Sequence, residues 1–253
     1  MSISNRHKRA RRALERQLEY QQRKAKTVLG REPEIIAAMQ RSSKRVRDLL
    51  ASHKPLDHAA RVIEVGSGAH GLIFYFGAAY GVGVDPLAVE YARLFPAWQR
   101  CVPTVASLGE QLPFADQTFE IVLCDNVVDH AESPSGIVKE LVRVLAKGGL
   151  LYFTVNVHHK IYSAAATAHA GWKAAGLPFE IGPFADHTTH LTPTSAKRMF
   201  EGLPLNILSE RQGVAEAKDR ARKLPPRHLG DRLKRVFYKN ALFEIIAEKQ
   251  SGI

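Results

Sequence analysis

Cysteine is scarce in this sequence and a long apolar run is missing, and both absences narrow what the protein can be. Only Cys101 and Cys124 occur in 253 residues, both in segments read as buried strands, so they suit reduced core thiols better than a disulfide or metal site. The longest apolar stretch, Leu72 to Val84, is broken by Gly77, Gly81 and Gly83 and ends on Asp85. It falls short of the ~20 residues that cross a bilayer, so no transmembrane segment is expected. Arg6, Lys8, Arg9, Arg11 and Arg12 open the chain with no apolar segment behind them, which argues against a secretory signal and for a cytoplasmic location. Repeats and low-complexity runs are lacking too.

What is present is a hydrophobic fraction of 45% and a formal net charge of +11, unevenly spread. Residues 1–48 hold 14 Lys/Arg against 5 Asp/Glu, which places most of the excess in an N-terminal extension. Such an extension offers weak electrostatic contact with RNA phosphates or an anionic membrane. It equally reads as a solvated helix whose Glu15 and Glu19 pair with neighbouring arginines.

The pattern divides into a basic helical extension, residues 1–52, and one α/β domain, residues 53–253. Residues 5–28 form a polar helix with a thin stripe of Ala10, Leu14 and Leu18, expected to project or pack loosely. A helix over 33–51 presents Ile35, Ile36, Met39, Val46, Leu49 and Leu50 to the domain. Strands are expected at 61–65, 81–85, 101–106, 119–124, 150–157, 205–209 and 241–248, alternating with helices at 72–80, 88–94, 135–146 and 193–200. This is a Rossmann-like seven-stranded sheet, mostly parallel with its last strand antiparallel, covered by helices on both faces. Residues 158–190 read as a lid or substrate loop, being longer than ordinary connections. Residues 210–239 read as a second basic insertion.

Gly66-Ser67-Gly68-Ala69-His70-Gly71 follows a buried strand and precedes a helix, so backbone amides there can approach a ligand closely. With Asp85 about 20 residues on, the pattern also fits a dinucleotide turn. Glu64 separates the two readings: a carboxylate two residues before Gly66 would repel a pyrophosphate, whereas a sulfonium with an α-ammonium tolerates it. Further on come Glu110-Gln111-Leu112-Pro113-Phe114, Asp116-Gln117-Thr118-Phe119 and Arg143-Val144-Leu145-Ala146-Lys147-Gly148-Gly149.

With those motifs in that order, Val62–Val157 resembles class I S-adenosylmethionine-dependent methyltransferases, the large family that includes ubiquinone and menaquinone biosynthesis enzymes. A weaker echo lies in His190-Leu191-Thr192-Pro193. The resemblance implies S-adenosylmethionine as cofactor. Glu64, Gly66 and Gly68 would face its methionine end, Asp85 its ribose hydroxyls, and Pro86 and Leu87 its adenine face. The backbone at Asp125 would receive the α-ammonium. In two places the sequence departs from the family. Leu108 stands where an acidic residue usually bonds the adenine amino group, which would leave that task to backbone near Gly109. Asp129-His130 stands where the family often shows two histidines.

A general base is needed only if the acceptor loses a proton, and the candidates are Asp129, His158 and His187, the last on the covering loop. His130, His159 and His190 lie in the same region, each with a capping or packing alternative. His158-His159 and His187-x-x-His190 lack the number and spacing of ligands a metal wants, so no metal is expected. The turn Asp125-Asn126-Val127-Val128 lacks the Asn/Asp-Pro-Pro-aromatic motif of enzymes that methylate exocyclic amines of nucleic-acid bases. The acceptor expected is a small molecule or glycan, methylated at oxygen. The alternatives are an RNA methyltransferase recruited by the basic extension, and a cofactor-binding module without catalysis.

Overall fold

The computed structural model describes residues 3–162, 191–223 and 236–251, with side chains from Leu14 onward. His187 and His190, and most of the expected loop 158–190, lie outside the described residues. Seven strands form one sheet in the order β3-β2-β1-β4-β5-β7-β6: β1 (Arg61–Val65), β2 (Tyr80–Val84), β3 (Thr104–Val105), β4 (Phe119–Asp125), β5 (Leu145–Val157), β6 (Leu205–Gln212) and β7 (Ala241–Lys249). All pairings are parallel except those of β7, which runs antiparallel to both β5 and β6. This is the Rossmann-like sheet expected from the sequence.

The strands are apolar on both faces because helices cover both. Alternate side chains divide between two clusters. Val62, Ile121, Leu123, Leu150, Tyr152 and Ile246 pack with α2 (Glu32–Ala51), α3 (Ala88–Leu94) and α4 (Pro96–Gln99). Ile63, Val65, Val122, Cys124, Leu151 and Phe153 pack on the other face with α5 (Pro134–Val144), α6 (Pro193–Arg198) and α7 (Val214–Lys223).

α1 (Ile3–Val28) does not project. Val28 and Gln21 are buried, and Leu14, Leu18 and Ala25 pack against the first cluster, so the thin stripe docks beside α3. α2 is held to the sheet by a polar link as well as by Val46 and Leu50. The Arg45 guanidinium donates to the Tyr152 hydroxyl at 3.0 Å, and that hydroxyl lies 3.2 Å from the buried Glu244 carboxylate.

Some elements differ from expectation. The helix expected at 72–80 is a single 3₁₀ turn, Leu72–Tyr75. Gly77 ends it at φ +79°, and α2 occupies the space beside it, with Ser43 donating to the Leu72 carbonyl at 2.7 Å. β3 keeps only two residues, and Cys101 lies outside it, exposed rather than buried. β5 begins at Leu145, with a register shift opposite Phe119–Ile121 that absorbs Gly148-Gly149. β6 reaches Gln212 and α7 follows at once, so the segment expected as a basic insertion begins with regular structure.

Candidate cofactor site

β1 leads into a turn that leans toward β2. Gly66 and Ser67 both donate to the Val84 carbonyl, at 2.7 and 3.0 Å, which brings the turn against the end of the strand carrying Asp85. Gly66 has φ +77°, and a Cβ there would lie 2.2 Å from a methyl of Val127, so the turn after β4 closes directly on it. Gly68 has φ +52° and nothing closer than 3.8 Å to the place a Cβ would take, which leaves open room above the turn.

The part-buried Asp85 takes a backbone N–H on each oxygen: Leu87 at 2.8 Å and Gly68 at 3.0 Å. Burial raises its carboxyl above the ordinary value, and these two N–H bonds oppose the rise. A carboxylate oxygen has more than one acceptor site, so both can still receive a ligand hydroxyl. Pro86 is half-buried and Leu87 is buried. Leu108, on the loop after β3, is exposed and offers only apolar contact. The neighbouring Gly109 packs so closely on Val65 that a Cβ would lie 3.1 Å from its methyl, so this loop runs along the end of β1.

Glu64 is placed differently from expectation. It shares a strand face with Val62, and its carboxylate is buried beneath the turn, where it accepts N–H bonds from Leu72 at 3.1 Å and Ile73 at 2.8 Å. Both of its oxygens hold the 3₁₀ turn. Burial raises its pKa to about 8 despite the two N–H bonds. Asp85 and Asp125 lie near enough to add to the rise.

At the end of β4 the Asp125 side chain is exposed, and the Thr154 hydroxyl donates to its Oδ1. Asn126, at φ +58°, donates through its N–H to the Thr154 carbonyl and accepts from the Asn156 N–H at 3.0 Å, so β4 and β5 are laced together at their carboxyl ends. Asp129 is fully buried, with its Oδ1 3.7 Å from Nε2 of His130.

His158 does not fit the part of base. It is fully buried and its Nδ1 accepts the Asn240 N–H at 3.2 Å, while its backbone N–H donates to the Leu191 carbonyl at 2.8 Å. Its position ties the end of β5 to residues 191 and 240.

Two features went unread in the sequence. Arg143 donates to the carbonyls of Leu112 and Phe114 at 3.0 and 2.8 Å, so the Leu-Pro-Phe and Arg-Val-Leu segments are halves of one brace. Behind the cofactor turn, Trp98 and Gln99 bond its carbonyls, and no motif announces α4.

A groove of about 630 Å³ lies at the opposite, amino ends of the strands, lined by residues such as Lys54, Tyr80 and Lys147. Ligands of open α/β sheets bind at the carboxyl ends, so it is not the cofactor site. Lys54 there is engaged by the Gly148 carbonyl and Glu248.

This geometry agrees with comparison to known proteins. Residues 63–153 match the methyltransferase domain family. This segment is a class I S-adenosylmethionine-dependent methyltransferase domain, and S-adenosylmethionine is its cofactor. The chain is 32% identical over 138 residues to a methyltransferase of Mycobacterium leprae, covering 52% of this chain and 42% of that protein. It is 33% identical over 89 residues to a protein of Methanocaldococcus jannaschii, covering 35% of this chain and 41% of that one. The matches therefore span less than half the length of these relatives.

Among solved structures, the methyltransferase domain's fold recurs in a Bacillus halodurans protein described as a methyltransferase, at TM-score 0.58 and 17% identity, over 81% of this chain and 98% of that one. It recurs also in the geranyl diphosphate C-methyltransferase of Streptomyces coelicolor, which holds S-adenosyl-L-homocysteine, at TM-score 0.58 and 14% identity over 86% and 83% of the two chains.

Proposed function

We propose that the chain transfers a methyl group from S-adenosylmethionine to an oxygen of a small-molecule acceptor, saccharides included. The observation that supports the cofactor's placement is Asp85, which brackets the Gly66–Gly68 turn and keeps acceptor capacity on both oxygens for the two ribose hydroxyls. Pro86 and Leu87 supply an adenine face, Leu108 adds apolar contact, and Gly66 and Gly68 keep side chains out of the way. Glu64 serves indirectly by fixing the 3₁₀ turn.

When bound, the cofactor supplies an electrophilic methyl on a sulfonium. Displacement at that carbon is in-line, so holding the acceptor in register carries most of the acceleration. A hydroxyl acceptor must also lose its proton. Asp125 is the carboxylate best placed for that: it is exposed at the carboxyl end of β4, with one oxygen fixed by Thr154 and the other open to accept. Its backbone would receive the α-ammonium of the cofactor.

The test is turnover of methyl-labelled S-adenosylmethionine on cell extract separated into metabolite, glycan, lipid and RNA fractions. Label is expected on a hydroxyl in the metabolite or glycan fraction. Asp125→Asn is expected to cut that turnover roughly 10²–10⁴-fold, well beyond any loss of cofactor affinity. Label confined to RNA, or found on nitrogen, contradicts the acceptor assignment.

A further inference from the structure

Gln99 closes α4 and is buried, with only 3% of its surface exposed. Its side-chain amide donates twice, to the carbonyls of Gly68 and Ala69, both at 3.0 Å. Trp98 adds a third bond to the Ala69 carbonyl, at 2.7 Å. Two acceptors on one side fix which way the amide faces, because only its nitrogen carries hydrogens. The Gln99 Oε1 is thereby turned into the interior, where it meets no partner. A buried acceptor left unmet costs stability; a leucine of similar size would remove that acceptor but would leave the Gly68 carbonyl without its donor. What glutamine supplies at this position is its two donors, which fix the direction of both carbonyls.

Their effect is on the shape of the turn. In a trans peptide the carbonyl and the following N–H point in opposite directions. Gathering the Gly68 and Ala69 carbonyls toward α4 turns the Ala69 and His70 N–H groups together away from it. Among the described residues neither N–H finds an acceptor, whereas those of Gly68, Leu72 and Ile73 are bonded to Asp85 and Glu64. Two adjacent backbone N–H groups aimed the same way make a seat for an anion.

We infer that Gln99 is a positioning residue for cofactor binding: from behind the turn it holds the Ala69 and His70 N–H groups outward to receive the carboxylate of S-adenosylmethionine. The inference rests on the cofactor site described above. Adenosine recognition, centred on Asp85, is a separate part of that site, so the two ends of the ligand respond differently when Gln99 is changed.

The experiment is calorimetric titration of the full chain with S-adenosylmethionine and with methylthioadenosine, which lacks the amino-acid portion, alongside unliganded thermal denaturation. In Gln99→Leu, affinity for S-adenosylmethionine is expected to fall about tenfold. Affinity for methylthioadenosine should stay within about twofold, and the melting temperature within about 3 °C, since loss of the stranded oxygen offsets the Gly68 carbonyl left without its donor. Gln99→Met serves the same purpose if the leucine variant folds poorly. Unchanged affinity for both ligands, or equal losses for both in step with melting temperature, overturns the inference. If the parent protein binds methylthioadenosine but not S-adenosylmethionine, the carboxylate seat is wrong; if it binds neither, the cofactor reading itself fails.

Discussion

Burial of a carboxyl group beneath the turn couples the site to pH. Glu64 is wholly inside the protein, and the cost of charging it there outweighs the N–H bonds from Leu72 and Ile73. Its pKa rises from 4.5 to about 8, so between those values the folded chain retains a proton that the unfolded chain has released. The stability contribution of this group is thus complete below pH 4.5, declines as pH rises, and is level above pH 8. Glu64→Gln is expected to flatten that decline in urea denaturation curves taken from pH 5 to 9; an unchanged slope would show that Glu64 titrates normally. At this scale the sequence was legible where chemistry is local. Gly66 and Gly68 shape the turn after β1, and parallel pairing of β1 with β2 brings Asp85 against it. Glu64 was harder to place, since its direction depends on strand parity and on the neighbouring helix being short. The surroundings of His158 were not readable, since its partner, the Asn240 backbone, is 82 residues away.

Between elements, the link from α2 to the sheet carries more than apolar contact. Glu244 is buried on β7, and its nearest cation is Arg45, whose guanidinium lies 3.5 Å away and is itself half exposed. Removing one partner of a buried pair strands the other, but the exposure of Arg45 lets water compensate in part. Arg45→Met is therefore expected to cost roughly 1–3 kcal/mol in urea denaturation, below the full penalty for a buried pair. Arg45→Met combined with Glu244→Met should recover most of that loss. Equal stability of the single variant and the parent would show that Val46 and Leu50 alone dock the helix. Element limits were read well where apolar periodicity is long, as at β1, α3 and β7, and poorly where packing decides. The 3₁₀ turn at Leu72–Tyr75 is short because α2 lies beside it, a fact no local pattern encodes. β3 shrank to two residues for lack of a partner beyond β2, being an edge strand.

For the whole molecule, the order β3-β2-β1-β4-β5-β7-β6 puts the ends of β1, β2 and β4 side by side, and the turn, Asp85 and Asp125 meet there. That convergence was readable from strand alternation and spaced motifs, whereas the docking of α1 was not. Its apolar stripe is narrow, and burial of polar Gln21 completes the contact. From Leu14 to Val28 the helix thus packs on the sheet's helical layer. Under the proposed function this convergence binds S-adenosylmethionine through Asp85 in preference to a dinucleotide. Calorimetry of the parent chain and Asp85→Ala with S-adenosylmethionine and NAD tests it most directly. The parent is expected to bind S-adenosylmethionine more tightly than NAD, and the variant to lose at least about 10–100-fold, since each of the two charged hydrogen bonds is worth ~1.5–3 kcal/mol. Tighter binding of NAD, or an unchanged S-adenosylmethionine affinity in the variant, would contradict it.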